Sequence, residues 1–249
     1  MMVFEGRIRQ NEGTMSTTTS RASERRSFLS RVAAGAAAFG GIVLSSRAAN
    51  AQAPAAGSWK ASRHNQDDWL DSIPGGHRFV IDTTSPLGLG NALLYANNFF
   101  IANQNGYGLG NGDAAVVLVV RHNSTPFAYT DAIWRKYGMA IGDAAGGFDD
   151  PKTKTRPSAN VYNSQSHAGL LPNNGVTLDA LIGRGVHFAV CDMATHRFAG
   201  AIATATKGNA DEIYKELASN LIRNAHLVAA GIVAVNRAQE RGYSFANAS

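Results

Sequence analysis

The 249-residue chain contains one cysteine, so it cannot form an intramolecular disulfide or a multi-cysteine zinc or iron–sulfur site. It has no run of about 18 to 20 consecutive apolar residues, which excludes a polytopic membrane protein. Gly88 and Gly90 lack the third glycine of a dinucleotide fingerprint, and no P-loop lysine is present. We interpret these two glycines as permitting a tight turn.

The excess of basic over acidic residues is concentrated at the beginning of the chain. The whole sequence has 23 basic and 18 acidic side chains, with a formal net charge of +5. Removing the seven arginines and three glutamates of residues 1–51 leaves 16 basic and 15 acidic residues, a net charge of +1. A nearly neutral mature chain gives no reason to expect nucleic-acid binding.

Residues 1–51 have the order of an export signal. The pair Arg25 and Arg26 is followed by Phe-Leu, a short apolar stretch and, at 49–51, a small-residue cleavage site. This pattern resembles the twin-arginine signal, which a receptor reads as an address rather than as an anchor. The alternative is a basic tail with an accidental arginine pair.

The leader therefore predicts an exported, periplasmic protein that has no membrane association after signal cleavage. We assign residues 1–51 to the signal peptide and 52–76 to a linker or N-terminal extension. The remaining residues, 77–249, form one predicted domain.

Strand-like and helix-like segments alternate along this domain. Ala114–Val120 contains seven consecutive apolar residues, four of them valine, which is typical of a strand covered on both faces. The other predicted strands are 78–82, 186–190, 227–230 and an edge strand at 243–246. Predicted helices lie near 67–73, 87–103 and 131–137, after Thr177, behind a capping box at 209–212, and over 231–241. Strands separated by helices predict an α/β fold, a parallel sheet with helices on both faces.

A long polar stretch at about 138–175 interrupts this alternation. Loops of this length without secondary structure are commonly active-site lids, binding surfaces or disordered segments. The sequence leaves these three alternatives open.

Polar side chains stand at the carboxyl ends of the predicted strands, where ligands bind in open α/β sheets. If these strands are adjacent and parallel, their polar ends converge on one edge of the sheet. The candidate binding residues selected in this way are Asp82, Arg121, His122, Asp192 and His196, beside a candidate catalytic residue, Cys191.

Cys191 is the candidate nucleophile. A thiol at a strand end that faces a helix N-terminus lies near partial positive charge, which favours the nucleophilic thiolate. Arg121, His122 or His196 would strengthen this effect, whereas the negative charge of Asp192 would oppose it. A lone cysteine after an apolar strand is also commonly a small buried hydrophobic residue, so both interpretations stay open.

A metal site is a weaker alternative. Soft and imidazole ligands, which in an exported protein would suit copper, occur at His187, Cys191, Met193 and His196. A strand alternates its faces, so the first two can align while the helical residues need not. We predict no metal site and no cofactor.

Three segments resemble the DsrE/DsrF-like family: residues 77–137, the cysteine-ended strand His187–Cys191, and the C-terminal stretch 231–243. The resemblance covers about 77–249 except the polar insertion. It implies a small α/β sandwich, assembled as a homo-oligomer, and in some members a persulfide on a cysteine after the third strand. Only Cys191 occupies that position here. The export leader and the insertion depart from the compact cytoplasmic members.

The leading hypothesis is an exported DsrE-like protein that binds or relays sulfane sulfur on Cys191, as a sulfur carrier or sulfurtransferase-like protein. Because the chain has no second cysteine, onward transfer requires a partner protein that donates or accepts sulfur. One alternative is a non-catalytic periplasmic binding or assembly module that uses the 138–175 insertion. Another is a carrier of metal or small anions that uses Arg121, His122 and His196.

Overall fold

The computed structural model describes residues 60–248, so the predicted signal peptide and the start of the predicted linker lie outside the described residues. The described chain contains a five-stranded, all-parallel sheet with the strand order β4-β3-β2-β1-β5. The strands are β1 (His77–Thr83), β2 (Ala114–Val120), β3 (His187–Cys191), β4 (Ala225–Val228) and β5 (Ser244–Asn247). This arrangement confirms the predicted α/β fold, and the bounds of β2 are the predicted ones.

Seven α-helices connect or flank these strands within the described residues. They are α1 (Trp69–Ser72), α2 (Pro86–Tyr107), α3 (Asp131–Ala144), α4 (Leu178–Gly183), α5 (Asp192–Thr206), α6 (Ala210–Ser219) and α7 (Gly231–Gln239). A 3-10 segment, His122–Ala128, follows β2. Within residues 60–248, no helix combines the length and the apolar character needed to cross a membrane.

The sheet is covered on both faces, as the apolar sequence of β2 predicts. Val116, Leu118 and Val120 belong to a large core formed with helices α2 to α6. Val117 and Val119 point the other way, into a smaller core with α1 and α7. Burying a valine side chain fully contributes about 1.5 to 3 kcal/mol, so both faces stabilise the strand.

The beginning of α2 corrects the interpretation of Gly88 and Gly90 as turn residues. The helix begins after Ser85, whose side chain accepts a hydrogen bond from the Gly88 N–H at 3.0 Å. Both glycines lie inside the helix, where a Cβ on Gly88 would stand 2.3 Å from the Ala248 carbonyl oxygen. They allow close packing of neighbouring segments rather than a tight turn.

The polar insertion is shorter than predicted and is packed against the core. Helix α3 continues to Ala144 rather than ending near 137, so the first part of the predicted stretch is helical. Farther on, Asn160 and Tyr162 are buried. The Asn160 Nδ2 donates to the Phe127 carbonyl at 2.7 Å, and the Tyr162 hydroxyl donates to the Pro86 carbonyl at 2.6 Å. These contacts fix the insertion beside the 3-10 segment that follows β2 and the start of α2.

The described part of the predicted linker is also folded. Leu70 and Ile73, in and after α1, are buried in the smaller core. The Leu70 carbonyl accepts hydrogen bonds from Arg78 at 2.9 Å and from the Tyr243 hydroxyl at 2.7 Å. The segment that precedes β1 therefore covers one face of the sheet.

Candidate functional site

Three strand-end segments meet at a pocket of about 260 Å³ at the carboxyl edge of the sheet. They are the end of β2, the junction between β3 and α5, and the loop that leads from β4 into α7. The side chains that give this pocket its chemistry are Arg121, His122, Cys191 and Arg197, and its apolar rim includes Met193 and Ile232. We call it the Cys191 pocket.

Cys191 is the last residue of β3 and the residue immediately before α5. It is only 7% exposed, but it lines the pocket together with Arg121 and His122. The structure therefore combines features of both interpretations made from the sequence: a largely buried sulfur, and a position on the wall of an open cavity.

Two helices begin at this pocket. Helix α5 begins at Asp192 and α7 at Gly231. In neither helix does the side chain of the N-cap residue accept a hydrogen bond from the first N–H groups. Met193 and Ile232, each the second residue of its helix, line the pocket. Uncapped helix N-termini carry partial positive charge, so both helices favour an anion there.

Arg121 is held in place by Asp82. The Nε and Nη2 atoms of Arg121 donate to the two carboxylate oxygens of Asp82, each at 2.8 Å. These hydrogen bonds raise the pKa of Arg121. Asp82 is 2% exposed and does not line the pocket, so it orients the guanidinium and offsets much of its charge.

Gly231 allows this arginine to approach the start of α7. A Cβ added to Gly231 would lie 2.7 Å from the Cβ of Arg121 and 2.9 Å from its Cδ. Such distances are too short for non-bonded carbon atoms. A glycine at this position is therefore required for the observed packing of Arg121 against α7.

The turn after β2 directs both Arg121 and His122 to the pocket. The Ser124 hydroxyl accepts a hydrogen bond from the Arg121 N–H at 3.0 Å, and Ser124 is fully buried. His122 has a φ of 53°, in the left-handed region that non-glycine residues seldom occupy. Backbone strain of this kind costs about 1 to 3 kcal/mol and concentrates at functional sites.

Arg197 is a pocket residue that is not among the candidate binding residues selected from the sequence. Its Nη2 donates to the Asn123 side chain at 2.9 Å, and its Nη1 donates to the Ala144 carbonyl at 3.2 Å. Residues four apart share one face of a helix. Because Met193 follows the end of β3, helical spacing from Met193 could have predicted Arg197 as a pocket residue. Asp192 and His196 are also four apart, but on a different face.

Asp192 and His196 form a separate cluster with Tyr214 of α6. The Tyr214 hydroxyl donates to the Asp192 Oδ1 at 2.8 Å, which raises the pKa of the tyrosine. The rings of His196 and Tyr214 stack with their centroids 3.8 Å apart. Neither Asp192 nor His196 lines the Cys191 pocket. The predicted convergence therefore applies to Arg121 and His122, with Asp82 behind them, but not to these two residues.

The side chains considered for copper do not gather at one place. His187 begins β3 and Cys191 ends it, which separates them by about 13 Å at roughly 3.3 Å per residue. His187 instead pairs with His226, their ring nitrogens 2.9 Å apart. In the described part of the chain, no group of three or more histidine, cysteine or acidic residues could hold a metal ion.

Comparisons with known protein families and with curated proteins find no match to this chain. A solved structure of a protein of unknown function from Methanobacterium thermoautotrophicum is similar, at 14% sequence identity and a TM-score of 0.33. The match covers 69% of this chain and 98% of the other. A structural similarity at this level gives no information about function.

Proposed function

We propose that the protein is an exported, DsrE-like sulfur carrier in which Cys191 accepts sulfane sulfur. The observation that carries this proposal is the position of the thiol on the wall of an open pocket, where two uncapped helix N-termini meet Arg121 and Arg197. That combination favours an anionic sulfur atom and leaves space beside it.

The reaction is an exchange at sulfur. The Cys191 thiolate attacks the outer sulfur of a polysulfide chain, and a new S–S bond forms as the neighbouring S–S bond of the donor breaks. The shortened polysulfide leaves with the electron pair of the broken bond. With tetrasulfide dianion as donor, the products are a Cys191 persulfide anion and trisulfide dianion, so charge and electrons balance without an external oxidant.

The pocket suits the product as well as the thiolate. The persulfide carries its negative charge one sulfur atom farther from the backbone of β3, and the pocket that Cys191 lines offers space for that atom. The N-termini of α5 and α7 can each stabilise such a charge by about 0.3 to 1 kcal/mol. Arg197 adds a formal positive charge on the same wall.

The remaining parts of the proposal rest on the sequence. The periplasmic location is supported by the twin-arginine-like leader, and the homo-oligomer by the DsrE-like segments. The chain's single cysteine means that a bound sulfur atom leaves only by transfer to a partner protein or a small thiol.

Mass spectrometry after exposure to polysulfide tests the proposal. The mature protein is incubated with sodium tetrasulfide, desalted and digested without reductant. The Cys191 peptide is expected to gain about 32 Da, the mass of one sulfur atom, and to lose it on treatment with dithiothreitol. A Cys191→Ser variant treated in parallel is the control and should gain nothing. An unchanged wild-type mass would reject the proposal.

A binding or assembly module is the second candidate, and the order of the insertion favours it. This segment is fixed to the core through Asn160 and Tyr162, yet it keeps Leu170 half exposed. If it mediates self-association, a Leu170→Asp variant should be smaller than the wild type in sedimentation velocity, whereas Cys191→Ser should not be. Equal sedimentation of all three proteins would count against this role.

A further inference from the structure

Asp192 places a negative charge next to the proposed reactive sulfur in the sequence. It is the first residue of α5 and directly follows Cys191. A carboxylate that turned into the Cys191 pocket would oppose an anionic sulfur, because like charges repel strongly where water is partly excluded. In the structure, the Asp192 side chain does not line that pocket.

Two side chains contact the Asp192 carboxylate, Tyr214 of α6 and His196 of α5. Tyr214 donates a hydrogen bond to the Asp192 Oδ1 at 2.8 Å, and the His196 Nε2 lies 3.7 Å from the Oδ2. The imidazole of His196 stacks on the phenol of Tyr214, with only 7° between the ring planes. Both carboxylate oxygens of Asp192 therefore face partners on the side of α5 that packs against α6.

We propose that Tyr214 is a positioning residue that, with His196 stacked on it, keeps the Asp192 carboxylate turned away from the Cys191 sulfur. The inference rests on the proposed function in that it takes Cys191 to react as an anion. Tyr214 touches neither the sulfur nor the pocket wall, and it acts only through Asp192.

The other ionisable groups near Cys191 determine which interactions of the sulfur a change at Tyr214 can alter. Those at the Cys191 pocket are Arg121, paired with Asp82, and also His122 and Arg197. Tyr129 is buried, and its hydroxyl donates a hydrogen bond to the Thr195 hydroxyl. Burial raises the pKa of Tyr129, which keeps it neutral. Among residues 60–248, none of these groups forms a hydrogen bond, an ion pair or a ring stack with Tyr214, so removal of the Tyr214 hydroxyl should alter the charge near the sulfur through Asp192.

The test is a double-mutant cycle on the rate of alkylation by iodoacetamide, measured from pH 5 to 9 in folded protein. Tyr214→Phe should move the midpoint of the rate profile to higher pH and slow alkylation at pH 7 by about threefold to tenfold. Asp192→Asn should not be slower than the wild type. In the Asp192→Asn background, Tyr214→Phe should have no further effect, because no carboxylate is left to turn.

A merely structural role would give a different pattern. Equal slowing by Tyr214→Phe in both backgrounds would overturn the inference, as would a Tyr214→Phe profile that coincides with the wild type. Tyr137→Phe is the matched control: the Tyr137 hydroxyl donates to the Glu216 Oε2 at 2.7 Å, and Glu216 does not line the pocket. A shift in Tyr137→Phe equal to that in Tyr214→Phe would also overturn it.

Sulfur uptake, measured on the same proteins, separates this inference from the proposed function. If the alkylation profiles follow the cycle but no protein gains sulfur, the positioning role stands and the sulfur-carrier function fails. If the wild type gains sulfur and Tyr214→Phe behaves identically in both assays, the function stands and the positioning role fails. A wild-type thiol that does not alkylate at any pH contradicts both.

Discussion

The two ends of β3 carry chemically interesting side chains on the same face of one strand, yet their surroundings are opposite. At the carboxyl end, Cys191 lines an open pocket beside two helix N-termini and Arg197, while the charge of Arg121 is paired with Asp82. At the amino end, His187 is covered by His226 and Trp69. The contrast shows that the elements covering a strand end, and not the residue type alone, decide whether its side chain lines a pocket.

The amino end is partly covered by stacked aromatic rings, and its histidines are neutral because they are half-buried. Trp69 lies on His226 with ring centroids 4.0 Å apart, and a hydrogen bond of 2.9 Å joins His226 to His187. Burial lowers the pKa of both histidines, that of His226 to about 4. A hydrogen bond between two imidazoles also requires one unprotonated ring nitrogen as the acceptor, and a pair of protonated histidines has none.

The largest expected effect comes from breaking the ion pair that orders the carboxyl end. Asp82→Asn should lower the free energy of unfolding by about 3 kcal/mol, because it leaves the partly buried Arg121 charge without its partner. Urea denaturation measures this loss. Asp179→Asn is the control: its pair with Arg223 is exposed at 3.7 Å, so a change of about 0.5 kcal/mol or less is expected. Equal losses in both variants would refute the account of Arg121.

A smaller effect should appear at the amino end as a dependence of stability on pH. The folded-state pKa of His226 lies below that of the unfolded chain, so the unfolded state takes up the proton first as pH falls. The stability present above pH 6.5 should therefore be lost progressively as the pH falls toward about 4. Because both rings are partly exposed, we expect a loss of about 1 kcal/mol.

His226→Phe, which keeps a ring on Trp69, should remove most of this pH dependence. His64→Phe is the matched control, since His64 is exposed near the same face of the molecule. Thermal or urea denaturation at pH 4.5, 5.5 and 7 measures the difference. A pH dependence that disappears in the His64 variant instead would place its origin elsewhere.

The smallest expected effect concerns the charge of the Cys191 pocket. Arg197→Gln should reduce the ratio of alkylation rates with iodoacetate and iodoacetamide about threefold, because only the first reagent is an anion. The reduction should shrink at high salt. Arg223→Gln, an exposed arginine outside the pocket, should leave the ratio unchanged. A ratio unaffected by Arg197→Gln would show that this arginine does not attract anions.

The fold could be predicted where burial makes the sequence unambiguous. Every residue of β2 is buried, so its apolar run has no polar interruption and its bounds are clear. The end of α3 could not be predicted, because Gly138 and Gly142 suggest a helix terminus. In the structure both glycines lie within the helix. A Cβ on Gly138 would stand 1.9 Å from the Pro157 carbonyl oxygen, and a Cβ on Gly142 would stand 2.5 Å from the Arg156 Cδ. That requirement depends on how the insertion packs, which no local pattern shows.

The site was predictable to the extent that sheet geometry alone determines it. Parallel strands bring Arg121, His122 and Cys191 to one edge, as the strand-end argument expects. The position of Asp192 depends on Tyr214, and therefore on how α6 packs against α5. The strand-end rule cannot locate a partner on a helix two elements away, so it placed Asp192 and His196 with the pocket residues.

The central claim is that the Cys191 sulfur is accessible and reactive in the folded protein. It is tested most directly by the rate of iodoacetamide labelling at pH 7 in native protein, compared with the rate in urea-unfolded protein. We expect the native thiol to react at least as fast as the unfolded one, because the pocket admits the reagent and two helix N-termini begin beside the sulfur. Native protection of about a hundredfold or more, as expected for a sulfur sealed in the core, would contradict it.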